Sequence, residues 1–127
     1  MLKSQKMEIK KVNLEEKLNL FSAHWSPKII GELNGQFVKI AKFKGEFIMH
    51  SHEKEDELFY VLHGEIFIEL KDSTLHLKAG EFVIIPKGTR HKPYAPEEAS
   101  VLLFEPVSTL NTGEVKNDLT RSDLDRL

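Results

Sequence analysis

The sequence contains no cysteine, which excludes disulfide bonds, thiolate zinc fingers and a thiol nucleophile. No run approaches the ~18 apolar residues of a membrane span, and the first residues lack the apolar stretch of a secretory signal. We therefore expect a soluble, cytoplasmic protein. Neither sign of charge predominates, because the formal net charge is −2. The basic face of a nucleic-acid binder and the polybasic patch of a membrane binder are both missing.

The sequence does have enough apolar material for one core. Of its 127 residues, 40% are hydrophobic and 30% are charged, with both signs interspersed. This length suffices for one domain and is too short for two. We divide it into an N-terminal segment with a short helix (1–27), a β-barrel (28–107) and a polar C-terminal tail (108–127). Asn13 can cap the helix, which we expect to end at Phe21.

Short β-strands separated by turn signals fill the middle of the sequence. We predict strands at 28–33, 36–43, 46–52, 57–63, 65–70, 74–77, 81–85 and 99–106. Asn34-Gly35 is the strongest hairpin signal, because both positions tolerate positive φ. A cluster of prolines predicts another turn at 93–96. Strands of this length and spacing are typical of an antiparallel sandwich or barrel, so we expect an all-β fold.

Several predicted strands are apolar on both faces, as in the unbroken runs 58–62 and 82–85. In a barrel that is monomeric in water, apolar and polar residues would alternate along each strand, because one face meets the core and the other meets solvent. Strands that are apolar on both faces need a cover on the outside as well. We expect the N-terminal helix to cover one patch and a second subunit to cover another, which predicts a homodimer.

The candidate site starts from two histidines that are two residues apart, His50 and His52. Alternate residues of a strand project to the same face, so their backbones lie roughly 6–7 Å apart on that face. After the polar stretch EKED, Glu57 opens the next strand, which we expect to pair with the first and bring its carboxylate alongside. These donors suit Mn, Fe, Co, Ni, Cu or Zn. On their own, the two histidines would be better interpreted as surface residues on an edge strand.

A second stretch of the sequence adds a third histidine to the candidate site. Gly80 is followed by five residues, then by Pro86-Lys87-Gly88 and, after two more residues, by His91. A strand that ends in this Pro-x-Gly turn places His91 at the entrance of the next strand, where it can close the site. The remaining histidines are predicted to lie in loops or on outward faces: His24, His63 and His76.

These two stretches resemble the two motifs of the cupin superfamily. The first motif is Gly, five residues, His-x-His, three or four residues, Glu, six residues, Gly; the sequence has Gly45-EFIM-His50-Ser51-His52-EKED-Glu57-LFYVLH-Gly64. The second is Gly, five residues, Pro-x-Gly, two residues, His, three residues, Asn; the sequence has Gly80-EFVII-Pro86-Lys87-Gly88-TR-His91-KPY-Ala95. The chain departs from them twice, with one residue fewer before the first histidine and with alanine in place of the final Asn.

The resemblance implies a jelly-roll barrel, also called a double-stranded β-helix, with a divalent transition metal held by His50, His52, Glu57 and His91. It also implies frequent dimerisation. The alanine at position 95 does not affect this set, because the Asn of the motif is not a ligand in the family. Within the superfamily, the chain is most similar to small cupins labelled mannose-6-phosphate isomerase-like, a label that reflects fold similarity more than demonstrated activity.

Two functions fit such a site, and the fold does not decide between them. The first is an enzyme with isomerase-like or dioxygenase-like chemistry, in which the metal keeps positions open for water, O₂ or an oxygen-bearing substrate. Glu57 is then the ligand that can detach and act as a base. The second is a non-catalytic, metal-dependent module that binds a sugar-like molecule. An enzyme should show charged groups pointing at the metal beyond the four ligands.

We expect a small-molecule ligand to enter through one mouth of the barrel, beside the metal. Arg90 and Tyr94 flank His91, and the tail after Pro106 is long enough to reach back across the barrel, with a turn at 111–113. We therefore predict that Arg90, Tyr94 and part of the tail recognise a polar molecule that is anionic or hydroxylated. The alternative is that the tail docks on the partner subunit.

Overall fold

The computed structural model describes residues 8–127, and within this range seven strands and one short helix follow one another. Helix α1 is Leu14–Leu18, and the strands are β1 Lys28–Leu33, β2 Gln36–Glu46, β3 Glu57–His63, β4 Glu65–Glu69, β5 Thr74–Lys78, β6 Phe82–Ile85 and β7 Lys92–Pro106. All the pairings between these strands are antiparallel. No helix in this part of the chain has the length and hydrophobicity that a membrane span needs.

The longest strand, β7, organises the barrel. Its second half pairs with β2 on one side and β3 on the other, whereas its first half pairs with β2 and β4. Strand β6 extends the sheet beyond β3, β5 extends it beyond β4, and β1 lies outside β2. Aromatic and aliphatic side chains fill the space inside. The fold is therefore the predicted all-β jelly-roll barrel with a short N-terminal helix.

Two local signals act as predicted. The side chain of Asn13 accepts a hydrogen bond of 3.0 Å from the Glu16 N–H, so α1 begins at its expected cap, although it ends at Leu18 rather than Phe21. Asn34 and Gly35 join β1 to β2 with φ angles of 51° and 74°. Positive φ at both positions is the geometry of a type I′ turn, whose twist matches that of the flanking strands.

The predicted separation of strands 36–43 and 46–52 is wrong. Strand β2 continues to Glu46 through an irregularity at Gly45, where the pairing with β7 shifts and φ is 78°. Glycine adopts this φ without steric cost, so it bends the strand instead of ending it. Beyond Glu46 no ladder forms, and His50 makes only an isolated bridge.

The predicted turn at 93–96 is also wrong, because these residues lie inside β7. Pro93 is tolerated in the strand because its carbonyl oxygen still accepts a hydrogen bond of 3.0 Å from the Phe47 N–H. The register with β2 shifts opposite 96–98, so Pro96 sits where no ladder hydrogen bond is required of it. Prolines are tolerated in strands at such irregular positions.

The outward faces of the strands remain partly apolar. In β3, buried Glu57, Phe59 and Val61 alternate with partly buried residues, so one face meets the core and the other is only half covered. Strand β6 is more exposed, because Phe82 and Ile84 show 61% and 54% of their surface. Both side chains point outwards.

Candidate metal centre

Four side chains of the types that bind metals meet inside the barrel. His50 and His52 follow β2, Glu57 is the first residue of β3, and His91 directly precedes β7. One donor atom from each lies within 4.8 Å of the others. All four residues are at most 4% exposed. The residues that the sequence motifs single out therefore form one buried cluster.

Glu57 reaches the cluster by a route that differs from the prediction. Strand β3 does not pair with the histidine segment; it pairs with β6 and β7. His50 instead pairs with His91, through backbone hydrogen bonds of 3.0 and 2.8 Å. Because the histidine segment and β3 lie on opposite sides of β7, the stretch 53–56 crosses between them and is not a hairpin turn.

Backbone carbonyls fix the rings of two histidines. Nδ1 of His50 lies 2.9 Å from the carbonyl oxygen of Ile48, and Nδ1 of His91 lies 2.9 Å from that of Thr89. A carbonyl oxygen can only accept, so each Nδ1 carries the proton and donates it. The Nε2 lone pairs of both rings are left for a cation, an arrangement typical of histidine ligands.

Several buried atoms of the cluster have no hydrogen-bond partner within residues 8–127. They are both ring nitrogens of His52, Oε1 of Glu57 and Nε2 of His91. The Glu57 oxygen lies 3.2 Å from Nε2 of His52 and 3.4 Å from Nε2 of His91. An unpaired buried polar atom costs about 1–3 kcal/mol. A cation among them would satisfy three of these atoms at once, so the residues fit a divalent transition metal bound by imidazole and carboxylate.

The protonation states of His50 and Glu57 also suit metal binding. Burial, together with the nearby His91 ring, lowers the pKa of His50 to about 4, so its imidazole is neutral at pH 7. Burial alone would raise the pKa of Glu57, but the adjoining side chains of Glu105, His52 and His91 hold this pKa well below its ordinary range. A neutral imidazole and an ionised carboxylate are the forms that bind metals.

A narrow cavity, which we call the inner cavity, lies beside His50 and Glu57. Most of its wall is apolar: Trp25, Pro27, Phe43, Phe47, Phe59, Pro93 and Leu103. Glu105 and Asn111 are the other polar residues of the wall. The cavity offers about 30 Å³ to the centres of water-sized groups. One water needs about 10–15 Å³ on this measure, so the inner cavity admits two or three small groups.

Trp25 forms one side of the inner cavity on an unusual backbone. Its φ of 56° lies in the left-handed region, which bulky residues rarely adopt. The indole stacks on Phe43 and Phe47 with ring centroids 4.3 and 4.8 Å apart. Its Nε1–H donates a hydrogen bond of 2.8 Å to the Lys44 carbonyl. These contacts hold the ring against the cavity and offset the strain at its backbone.

The C-terminal tail packs against the metal-binding segment of its own chain. Gly113 has a φ of 60° and lies so close to Ser51 that an added Cβ would overlap the Ser51 carbonyl oxygen. The Glu114 N–H donates to the same carbonyl at 3.3 Å. Between the tail and residues 53–55, a polar pocket of about 200 Å³, the outer pocket, reaches His52. The tail therefore lines one approach to the cluster.

The structure does not bring Arg90 and Tyr94 to either pocket. The Tyr94 ring stacks on Phe67 with centroids 5.2 Å apart, and Phe67 in turn stacks on His76 at 4.5 Å. The preceding residue, Pro93, is buried, so Tyr94 projects from the outer face of β7. Arg90 is exposed. Their role in ligand binding stays a prediction, and their positions do not support it.

Sequence reasoning missed two charged residues next to the cluster. Glu105 and Lys39 are each 1% exposed and form an ion pair with an N–O distance of 2.8 Å. Each is a single charge inside an apolar stretch, in FVKIA and in LLFEP. A charge at an inward position of a buried strand is uncommon, and that signal was present in the sequence.

Comparisons with known proteins agree with this geometry. The Cupin domain family (Cupin_2) matches residues 36–105. The uncharacterized protein YdbB of Bacillus subtilis (strain 168) is 48% identical over 64 residues, which cover 50% of this chain and 57% of YdbB. The crystal structure of a cupin-2 domain containing protein from Shewanella frigidimarina is 43% identical with a TM-score of 0.74, covering 75% of this chain and 93% of that one.

A more distant structure shares the fold. Hydroquinone 1,2-dioxygenase from Sphingomonas sp. TTNP3 is 20% identical with a TM-score of 0.69, covering 76% of this chain and 32% of that one. At this identity, the likeness concerns the fold alone. The family match spans more than half of the chain and contains all four residues of the buried cluster. The chain therefore belongs to the Cupin domain family.

Proposed function

We propose that this protein is a metal-dependent enzyme that acts on a small, oxygen-bearing organic molecule. The observation that supports it is the convergence of four buried donors, three of which present unpartnered atoms to one point. A transition metal held by four protein ligands keeps up to two positions open, where it acts as a Lewis acid or a redox centre. Its identity is one of Mn, Fe, Co, Ni, Cu or Zn.

The residues around the cluster favour catalysis over binding alone. Glu105 lines the inner cavity together with Glu57 and His50, and it is a charged group beyond the four ligands. Glu57 is the proposed catalytic residue, because among the four ligands only a carboxylate can release one oxygen and accept a proton there.

The charges near the cluster restrict the substrate. Glu105 lies on the side of the inner cavity, and the outer pocket is lined by Glu53, Glu55 and Glu114 against a single cation, Lys54. The excess of carboxylates around the outer pocket repels an anion, so the substrate is hydroxylated and not anionic. The narrow inner cavity admits only its small reacting end. Isomerisation of a hydroxy-carbonyl compound and dioxygenation both meet these conditions.

A non-catalytic binding module is the second candidate, and the small inner cavity favours it. With about 30 Å³ for water-sized groups, the space is filled by one ion and one or two waters. In this case, the metal holds the strand ends together and orients a ligand that reaches it from the outer pocket.

Metal analysis followed by a ligand screen tests the proposal. Protein purified without chelator should contain about one transition-metal ion per chain. The loaded protein is then screened by thermal shift against sugars, hydroxy-ketones and phenols, and each hit is incubated and analysed by mass spectrometry. Conversion supports the enzyme, and stabilisation without conversion supports the binding module. No metal uptake from Mn, Fe, Ni or Zn would contradict both.

We also propose that the protein is a homodimer. The support is the apolar edge strand β6, where Phe82 and Ile84 point outwards with more than half of their surface exposed. Edge strands with exposed apolar side chains are sites of association. Light scattering should give about twice the chain mass of 14.6 kDa. Phe82→Lys should lower that mass to the monomer value, and a wild-type monomer at micromolar concentration would contradict the proposal.

A further inference from the structure

A further pocket, which we call the tail pocket, lies between the C-terminal tail and strands β1 and β2. Its barrel side is formed by Ile29, Phe37 and Lys39, and its tail side by residues 107–110, 121–124 and 126. The pocket encloses about 310 Å³. Small-molecule sites span about 300–1,000 Å³, so the tail pocket has room for a small organic ligand. No residue of the metal cluster or of the inner cavity lines it.

The charged residues of the tail pocket are mostly cations. Lys39, Arg121 and Arg126 line it, against one carboxylate, that of Asp123. Two of the cations already have a carboxylate partner from outside the pocket: Lys39 with Glu105, and Arg126 with Glu32. Arg121 forms no ion pair within residues 8–127, and its hydrogen bonds go to carbonyl groups. Its positive charge is therefore available to an anion in the pocket.

The backbone of the tail holds the Arg121 guanidinium group in place. Nη1 donates hydrogen bonds of 2.8 Å to the Asp118 carbonyl and of 3.0 Å to the Thr120 carbonyl. A guanidinium group carries five N–H groups, and those on Nε and Nη2 make no hydrogen bond in the part of the chain that the structure describes. Parallel N–H groups of arginine match two oxygens of a phosphate or carboxylate group, so a fixed, unused pair is suited to such a ligand.

A buried hydroxyl group in the wall of the same pocket also lacks a partner. Thr109 is 7% exposed and lines the pocket, and its Oγ1 has no hydrogen-bond partner between residues 8 and 127. Buried hydroxyl groups usually have one, because burial removes their hydrogen bonds with water. Valine has nearly the same shape without the hydroxyl, so packing alone does not require threonine. An oxygen atom of a bound ligand would supply the missing partner.

We propose that the tail pocket binds a small organic phosphate, with Arg121 as the anchor of the phosphate group and the Thr109 hydroxyl as a further donor. Two arginines and a lysine favour a group with more than one negative charge, and a phosphate monoester carries about −1.5 to −2 at pH 7. Phe37, Leu110 and Leu124 line the pocket too, and they suit an organic part beside the phosphate group. The proposal does not depend on the proposed metal site.

Titration calorimetry with glycerol phosphate as the probe tests the proposal. The wild type should bind glycerol phosphate, bind inorganic phosphate more weakly, and not bind glycerol. Arg121→Gln should lower the affinity for glycerol phosphate by about tenfold or more, because a charge-assisted pair of hydrogen bonds is lost. Thr109→Val should lower it by about threefold or more, yet leave the protein at least as stable in urea, because the variant removes an unpaired buried hydroxyl. A threonine with a purely structural role would not change the affinity.

Two control variants separate this site from general charge and from the metal centre. Lys71→Gln removes an exposed positive charge between β4 and β5, outside the tail pocket, and should keep the affinity within about threefold. His52→Ala removes a residue of the metal cluster and should also keep it, because phosphate bound at the tail pocket does not contact a metal ion. If Arg121→Gln does not fold, Arg126→Gln replaces it, since that side chain is 64% exposed. It should lower the affinity in the same direction.

Each contrary outcome has a definite meaning. The proposal is overturned if the wild type does not bind glycerol phosphate at millimolar concentration, if Arg121→Gln and Lys71→Gln lose affinity equally, or if His52→Ala abolishes binding. Inorganic phosphate that binds as tightly as the ester would overturn the organic part of the ligand, and unchanged affinity in Thr109→Val would overturn the role of its hydroxyl. None of these results affects the proposed function, which fails only in the metal and ligand screens.

Discussion

The six histidines of this chain meet glutamates in two contrasting surroundings. The inner set converges on one glutamate, Glu57, and is buried: His50, His52 and His91. In the outer set, each histidine contacts its own glutamate at the surface: His24 with Glu98, His63 with Glu15 and His76 with Glu65. The residue types are the same in both sets, so what differs is burial and convergence.

Water accounts for the difference. When an exposed ion pair forms, each charged group exchanges hydrogen bonds with water for a similar interaction with its partner. The pair therefore contributes between zero and about 1 kcal/mol to the free energy of unfolding. The inner set has no water-exposed surface of consequence, and buried atoms of His52, Glu57 and His91 have no hydrogen-bond partner within residues 8–127. Only the inner set therefore gains substantially from a cation.

The largest expected effect comes from removing a ligand of the inner set. His52→Ala should lower the metal content from about one ion per chain to less than about one tenth, because the ion would lose an imidazole donor and water would enter the space that the ring leaves. Metal analysis after dialysis measures it. His76→Ala is the matched control from the outer set and should keep the full content. Equal loss in both variants would refute the distinction between the two sets.

The second effect is on the metal-free protein, where burial lowers the pKa of His50 from 6.5 to about 4. Between these values the unfolded chain binds a proton that the folded chain does not, so stability falls as pH decreases from 6.5 to 4. The shift corresponds to about 3 kcal/mol, fully lost below pH 4. Urea unfolding at several pH values measures it, in the presence of a chelator.

The variant His50→Gln should abolish this part of the pH dependence, whereas His76→Gln from the outer set should retain it. The comparison isolates His50 from the carboxyl groups, which titrate in every variant. If wild type and His50→Gln show parallel stability curves from pH 6.5 to 4, the buried imidazole does not titrate as its surroundings require.

A smaller effect concerns the tail that packs on the inner set. Gly113→Ala should destabilise the protein by about 1–3 kcal/mol and weaken metal binding, because the new methyl group overlaps the carbonyl of Ser51, between two ligands. Gly80→Ala is the control: its φ is 88°, but an added Cβ meets nothing within 4 Å. Gly80→Ala should introduce the same backbone strain as Gly113→Ala but leave the metal affinity unchanged. Equal metal affinity in both variants would show that the tail does not support the ligands.

The smallest expected effect belongs to the outer set. His24 and Glu98 have an N–O distance of 2.7 Å and are 37% and 51% exposed. His24→Gln should change the free energy of unfolding by less than about 1 kcal/mol, and salt should reduce the change further. Urea titration at low and high ionic strength measures both. A larger loss would mean that the surface pairs contribute more than their exposure allows.

Much of the candidate site could be predicted from sequence because its motifs are local. His-x-His, the Pro-x-Gly turn and the glutamate at a strand start each place a donor through the conformation of adjacent residues. The route of Glu57 was mispredicted for the opposite reason. Hairpin pairing is the usual result of a short connection between strands, but here β7, more than 30 residues later in the chain, lies between the two segments.

The faces of β7 show the same limit. The closeness of Tyr94 to His91 in the sequence predicts a position at the ligand rim. In the strand, it projects to the side opposite the buried Pro93 and stacks on Phe67 of β4. Which face of β7 meets the core depends on the elements that pack against its two faces, and those elements come from other parts of the chain.

The sequence by itself determined the all-β class, the cap of α1, the turn at Asn34-Gly35 and the four donors, because each depends on residue type and short spacing. Tertiary structure decided the rest. The order of strands around β7 placed Glu105 between Lys39 and Glu57, and it brought Gly113 against Ser51. Such contacts join residues far apart in the chain, so they arise only when the barrel closes and every strand has its neighbours.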